Sequence, residues 1–179
     1  MERYERAAVL LSLVEKLRDG DSWCGETHVQ KGTYFLQDLL GVPLEYDFIL
    51  YKHGPFSFDL RDEISWMRAK DLLKLQPQPW PYGPKLIPGD NAELLMETYL
   101  KPIERYTDRV QKIADEFADM GVTALERYAT AYYVSKNHEE VGDGDIAVKI
   151  VELKPHISLG EAQEAVEFVA KLRRVLSES

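Results

Sequence analysis

The chain has 179 residues and is sparing in the features that announce chemistry. It holds one cysteine, Cys24, which excludes an internal disulfide and any cysteine-rich zinc module. It has no Gly-x-Gly-x-x-Gly or P-loop stretch, so no nucleotide or other cofactor is expected. Its four histidines, His28, His53, His138 and His156, form neither an i, i+4 pair nor an H-E-x-x-H motif, so no metal is expected and they read as turn or surface residues. Asp143 and Asp145 open like a calcium loop, but Ala147 stands where the next oxygen ligand belongs. No apolar run approaches the roughly 20 residues of a membrane span. Ala7–Leu11 follows Glu2, Arg3, Glu5 and Arg6 and lacks the cationic start of a secretory signal, and Leu176–Ser179 is no lipidation site. With its lone cysteine, the chain is expected to be cytoplasmic and not membrane-bound.

Positive charge is also short. Lys and Arg number 22 against 31 Asp and Glu, a net charge of −9. Residues 1–90 carry 11 against 14 and residues 91–179 carry 11 against 17, so neither half is a basic platform for nucleic acid. Hydrophobic residues make up 45%, enough for a sizeable core.

Periodicity predicts a mainly α protein with minor β. Tyr4, Ala7, Ala8, Leu11, Val14 and Leu17 mark an amphipathic helix over 3–19, stopped by Gly20. Thr27 and Gln30 read as a capping box for a second helix, which Gly41 and Pro43 end. Tyr46–Tyr51 reads as a strand, His53-Gly54-Pro55 as a sharp turn, and Ser57 as the cap of a helix over 58–70 with Leu60, Ile64 and Met67 inward. Leu72–Leu75 and Lys85–Ile87 are short strands around Gln76–Pro84, where four prolines forbid regular structure. That order is the order of a winged helix, with the Pro-rich hairpin as its wing.

Gly89 marks the expected boundary between a winged-helix-like part, 1–89, and a helical part, 90–179, packed as one unit. Pro102 predicts a break near Leu100 within the pattern over 91–119, which Gly121 stops. Thr123 reads as the cap of a helix to Lys136, followed by the acidic loop Glu139–Gly144 and a helix over 145–153 that ends before Pro155. Ser158 with Glu161 is a capping box for the last helix, through Leu176.

The candidate sites are few. Cys24 near His28 invites a nucleophile reading, but no orienting third group is evident, and a structural cysteine is expected. The chain is therefore read as non-enzymatic, with an unrecognised hydrolase as the residual possibility. Trp80 and Tyr82 among the prolines form either a stiffened interface or a lid over the helices. Phe48, Tyr51, Phe56, Phe58 and Trp66 are expected in the core, and Tyr99, Tyr106, Tyr128, Tyr132 and Tyr133 among the C-terminal helices.

Three stretches carry a family likeness: Thr27–Gln37 (THVQKGTYFLQ), Phe48–Ser57 (FILYKHGPFS) and Leu153–Ser158 (LKPHIS). Together they resemble the YwgA-like proteins of bacteria and archaea over most of the chain. Over about residues 5–75 the helix and the Tyr-Lys-x-Gly-Pro turn are similar to the Panacea domain of SocA-like antitoxins, although Val29 and Gly32 depart from its pattern. The resemblance implies toxin neutralisation by protein contact, or adaptor behaviour, without catalysis. The expected partner is then a protein such as a basic toxin, contacted through Lys31, Tyr51, Lys52, His53, Trp80 and Tyr82. The alternative is a winged-helix DNA-binding regulator using Lys31, Lys52, Arg61, Arg68 and Lys85, with a homodimer formed through the C-terminal helices.

Overall fold

A computed structural model describes residues 1–138 and 142–177. The chain runs α1 (Arg3–Asp19), α2 (Glu26–Asp38), β1 (Ile49–Tyr51), β2 (Gly54–Phe56), α3 (Phe58–Ala69), β3 (Leu73–Gln76), β4 (Lys85–Pro88), α4 (Ala92–Thr98), α5 (Leu100–Phe117), α6 (Val122–Asn137), α7 (Asp143–Leu153) and α8 (Leu159–Ser177). It is mainly helical with minor β, as the periodicity predicts, and its strands form two small antiparallel hairpins.

Helix α1 has the predicted limits but not the predicted half-wet character. Ala7 through Val14 are buried without interruption, Ser12 included, because α2, α4, α5 and β4 surround the helix. Its polar residues cluster at the ends instead. Arg3 there lies over the Trp66 ring at 3.9 Å, and its Nε donates to both oxygens of the buried Glu63, which ties α1 to α3. Tyr4, predicted inward, is half-exposed and stacks on Tyr99 at the rim.

Two predicted caps lie elsewhere. Gly25 and Gly121, not Thr27 and Thr123, precede α2 and α6, and the two threonines fall inside the first turns. Gln30 is thereby released from capping for another use. Ser57 caps α3 as predicted, its Oγ accepting from Leu60 N at 3.2 Å, and Ser158 exchanges hydrogen bonds with Glu161 at the start of α8. The break near Pro102 falls at Tyr99, between α4 and α5. Helix α7 starts at Asp143, two residues before its predicted start; Glu139, Glu140 and Val141 of the acidic loop lie outside the described residues.

Strands β3 and β4 pair in register from Leu73↔Pro88 to Gln76↔Lys85, giving the predicted wing. Strand β1 does not join them. It is shorter than predicted and pairs with β2, so the turn is Lys52-His53 and Gly54-Pro55 begin a strand. Tyr46, predicted in that strand, is bound instead by the Gln37 side chain, which meets its N–H at 2.8 Å and its carbonyl at 2.9 Å.

Gly89, the predicted boundary, is pinned rather than loose. Its N–H donates to Leu72, and a Cβ there would lie 2.1 Å from the Asp71 carbonyl oxygen. The core runs across it: α1 lies along α5, and Tyr34, Phe35, Phe117 and Tyr132 pack ring on ring at the centre.

Candidate functional site

The three stretches 27–37, 48–57 and 153–158 meet at one place, the β1–β2 hairpin. Two three-residue strands are too short to hold themselves in water, and side chains from three sides supply what is missing. Gln30 on α2 acts like a missing strand: its Nε2 donates to the Ser57 carbonyl at 2.9 Å and its Oε1 accepts from Ser57 N–H at 3.0 Å. Lys31 Nζ donates to the Pro55 carbonyl at 2.8 Å. Lys154, just after α7, donates to the carbonyls of Tyr51 and Lys52, the latter at 3.0 Å. Gly54 sits at φ +84°, where side chains are disfavoured, and a Cβ there would lie 2.8 Å from Thr130 Oγ1 and 3.1 Å from the Glu126 carbonyl oxygen on α6.

The electrostatics follow from this packing. Burial pulls the Lys31 amine down to about 8, against the attraction of Glu126, and pulls Lys154 down in the same way. Glu126 is the acidic group that opposes both shifts, and its Oε2 also lies 3.2 Å from His53 Nδ1.

Lys31 therefore needs a correction as a surface contact. It is only 2% exposed, because it sits on the inner face of α2 and spends its ammonium on the hairpin. It reaches the floor of a cavity of about 260 Å³, whose rim carries Tyr51, Lys52 and His53, so the structure does bring these four together. Tyr51 and Phe58 also leave the core expected for them. They are exposed, and with Phe56 they form a cluster with ring centroids 5.1–5.9 Å apart, Phe58 meeting the other two rings edge-on; Phe48 and Trp66 pack on the core.

The wing presents the other candidates. Trp80 is 92% exposed, so its side chain does not fold back over the helices. Tyr82 is exposed too, but one side of its ring meets Trp23 at 4.6 Å, and Lys85 Nζ lies 4.7 Å from the same indole. Arg61 and Arg68 are exposed on α3, among Asp59 and Asp62.

Two further residues change character. Cys24 is fully buried, with Sγ 3.7 Å from the Val14 carbonyl, and burial pushes the thiol up to about 12. It is protonated at neutral pH and unfit as a nucleophile. His28, predicted at a surface or turn, is buried: its Nε2 lies 2.9 Å from the Met120 carbonyl oxygen, and burial lowers its basicity.

Sequence reasoning missed Gln30, Glu126 and Lys154 as parts of this arrangement. Gln30 has the spacing of a cap, Glu126 carries no local signal, and Lys154 stands in the LKPHIS stretch with nothing nearby to show its role. No family model matches the chain, and no curated protein matches it.

Proposed function

We propose that the chain is a non-enzymatic protein-interaction module of the antitoxin or regulatory-adaptor kind, contacting its partner through the tip of the Pro-rich wing. The observation that carries this reading is Trp80, 92% exposed in a loop whose prolines restrict it before binding. A large aromatic side chain held out in water on a stiff loop loses little entropy on docking and gains a large apolar contact. Tyr82 beside it is anchored on Trp23 and extends the same surface. The net charge of −9 favours a basic partner, such as a nuclease toxin, drawn in by long-range attraction. The resemblance of about residues 5–75 to the Panacea domain supports the same reading. Tyr51, Lys52 and His53 form a second contact in this reading.

The test is capture from the native host with the tagged chain, with and without nuclease, beside a variant carrying Trp80→Ala and Tyr82→Ala. One stoichiometric protein that survives nuclease and is lost with the variant supports the module. A partner retained equally by the variant removes the wing from the reading.

The DNA-binding alternative draws on one observation: Arg61 and Arg68 lie two turns apart on one exposed side of α3. It loses Lys31, which is buried. An enriched duplex that disappears on nuclease treatment would replace the first reading with this one.

A further inference from the structure

Beneath the wing a second cavity, of about 320 Å³, opens between the start of α2, the outer face of α3 and the base of the β3–β4 hairpin. Much of its polar wall favours an anion. No side chain caps α2, so the amides of its first turn have no side-chain acceptor, and Gly25 through His28 line the cavity. Arg61 and Arg68 line it from the opposite side. The Arg61 guanidinium has its sequence neighbour Asp62 at 3.5 Å and the Phe58 ring; that of Arg68 makes no ion pair or hydrogen bond among the described residues. His28, only 2% exposed, also lines the cavity; its Nε2 donates to the Met120 carbonyl, so its Nδ1, without a partner among the described residues, is an acceptor suited to a donor group on the ligand's organic part and not to a phosphoryl oxygen. The one carboxylate among the described lining residues is that of Glu26, which is exposed. Apart from Ser65, the remaining wall is apolar, with Trp23, Ile64 and Leu86.

We infer that this cavity is a binding site for a small phosphate monoester with an apolar body. The phosphoryl oxygens take the amides at the start of α2, the Thr27 hydroxyl and the planar forks of Arg61 and Arg68, a donor set matched to a dianion with three acceptor oxygens. The apolar wall takes the organic part. The volume lies at the small end of ligand pockets, which fits a compact ester rather than a dinucleotide. The site is independent of the Trp80 contact and needs no protein partner.

The experiment is a titration of the isotope-labelled full chain by amide NMR at constant ionic strength, with phenyl phosphate, inorganic phosphate and sodium chloride as separate probes. Saturable shifts at Glu26, Thr27 and His28 are expected with phenyl phosphate, weaker ones with inorganic phosphate, and none with chloride. Arg61→Ala and Arg68→Ala are each expected to weaken phenyl phosphate binding about tenfold, the scale of one charge-assisted hydrogen bond. Both side chains are exposed, so circular dichroism of the variants should match the parent. Shifts that chloride reproduces, no saturable shift at those amides, or unchanged affinity in the folded double variant would each overturn the site. The comparison of the three probes needs no variant, and none of these outcomes bears on the Trp80 contact.

Discussion

The two hairpins of this protein have the same antiparallel pairing and nearly the same length, yet the fold treats them in opposite ways. The β1–β2 hairpin is held at its backbone. Gln30, Lys31 and Lys154 reach it from α2 and the end of α7, and Gly54 lets α6 press against its turn. The β3–β4 hairpin is anchored at its base, where Leu86 N–H donates to the Cys24 carbonyl and Leu73 and Leu86 enter the core, and along its loop only Tyr82 among the described aromatic side chains finds a ring, that of Trp23, while Trp80 is carried into water. A hairpin clamped at its carbonyls is part of the scaffold. A hairpin clamped at its root is free to present its tip. The difference lies in what surrounds each turn and not in the strands.

This contrast can be broken from its rigid side. Gln30→Ala leaves the buried Ser57 N–H without its acceptor, while the Ser57 carbonyl keeps the Arg61 N–H at 3.2 Å, and should cost about 2 kcal/mol in urea unfolding, one unsatisfied buried donor at the usual penalty. A loss below about 0.5 kcal/mol would mean that the hairpin holds itself. Gly54→Ala should cost about 2 kcal/mol, from left-handed backbone and the contact with Thr130 together. Both figures belong to the first hairpin alone.

A smaller effect tests the charge beneath it. The Lys31 amine is lowered in the folded state, so above about pH 8 the native protein holds fewer protons there than the unfolded chain does. Its contribution to stability should therefore rise between about pH 8 and 10.5, and should be lost as pH falls back through 8. The stability of the parent relative to Lys31→Met, followed by denaturant titration across that range, should rise in the parent's favour. A flat difference would show that Lys31 keeps an ordinary amine.

The smallest effect belongs to the wing and sharpens the comparison. Trp80→Ala should change stability by less than about 0.5 kcal/mol, since the side chain touches little, and adding Tyr82→Ala should cost about 1 kcal/mol through the lost contact with Trp23. The same pair should weaken partner binding at least about tenfold. A large loss of melting temperature would make the wing a second scaffold hairpin.

What was legible in the sequence follows physical locality. The limits of α1, the Ser57 and Ser158 caps, the break at Pro102 and the wing strands were readable because each depends on neighbours within a few residues. Trp80 and Tyr82 stood out because prolines deny their segment any other structure. Local signals misled where a distant group competed for the same side chain. Gln30 has the spacing of a cap, but the buried Ser57 backbone, 27 residues on, claims its amide. Lys31 looks like a surface charge, and Tyr51 and Phe58 look like core. Whether α2 turns a residue toward the hairpin or toward solvent depends on the placement of α6 and α7, which no short window contains.

By itself, then, the sequence determined the helices, several of their ends, the stiff wing and the acidic balance, because propensity, capping and proline geometry act over one or two turns. Only the tertiary structure decided that three separated motifs close on one hairpin, that two lysines are spent inside rather than offered outside, and that Arg61 and Arg68 face the open start of α2. Those outcomes rest on burial and on pairing across the chain, and both come into being only when the elements pack.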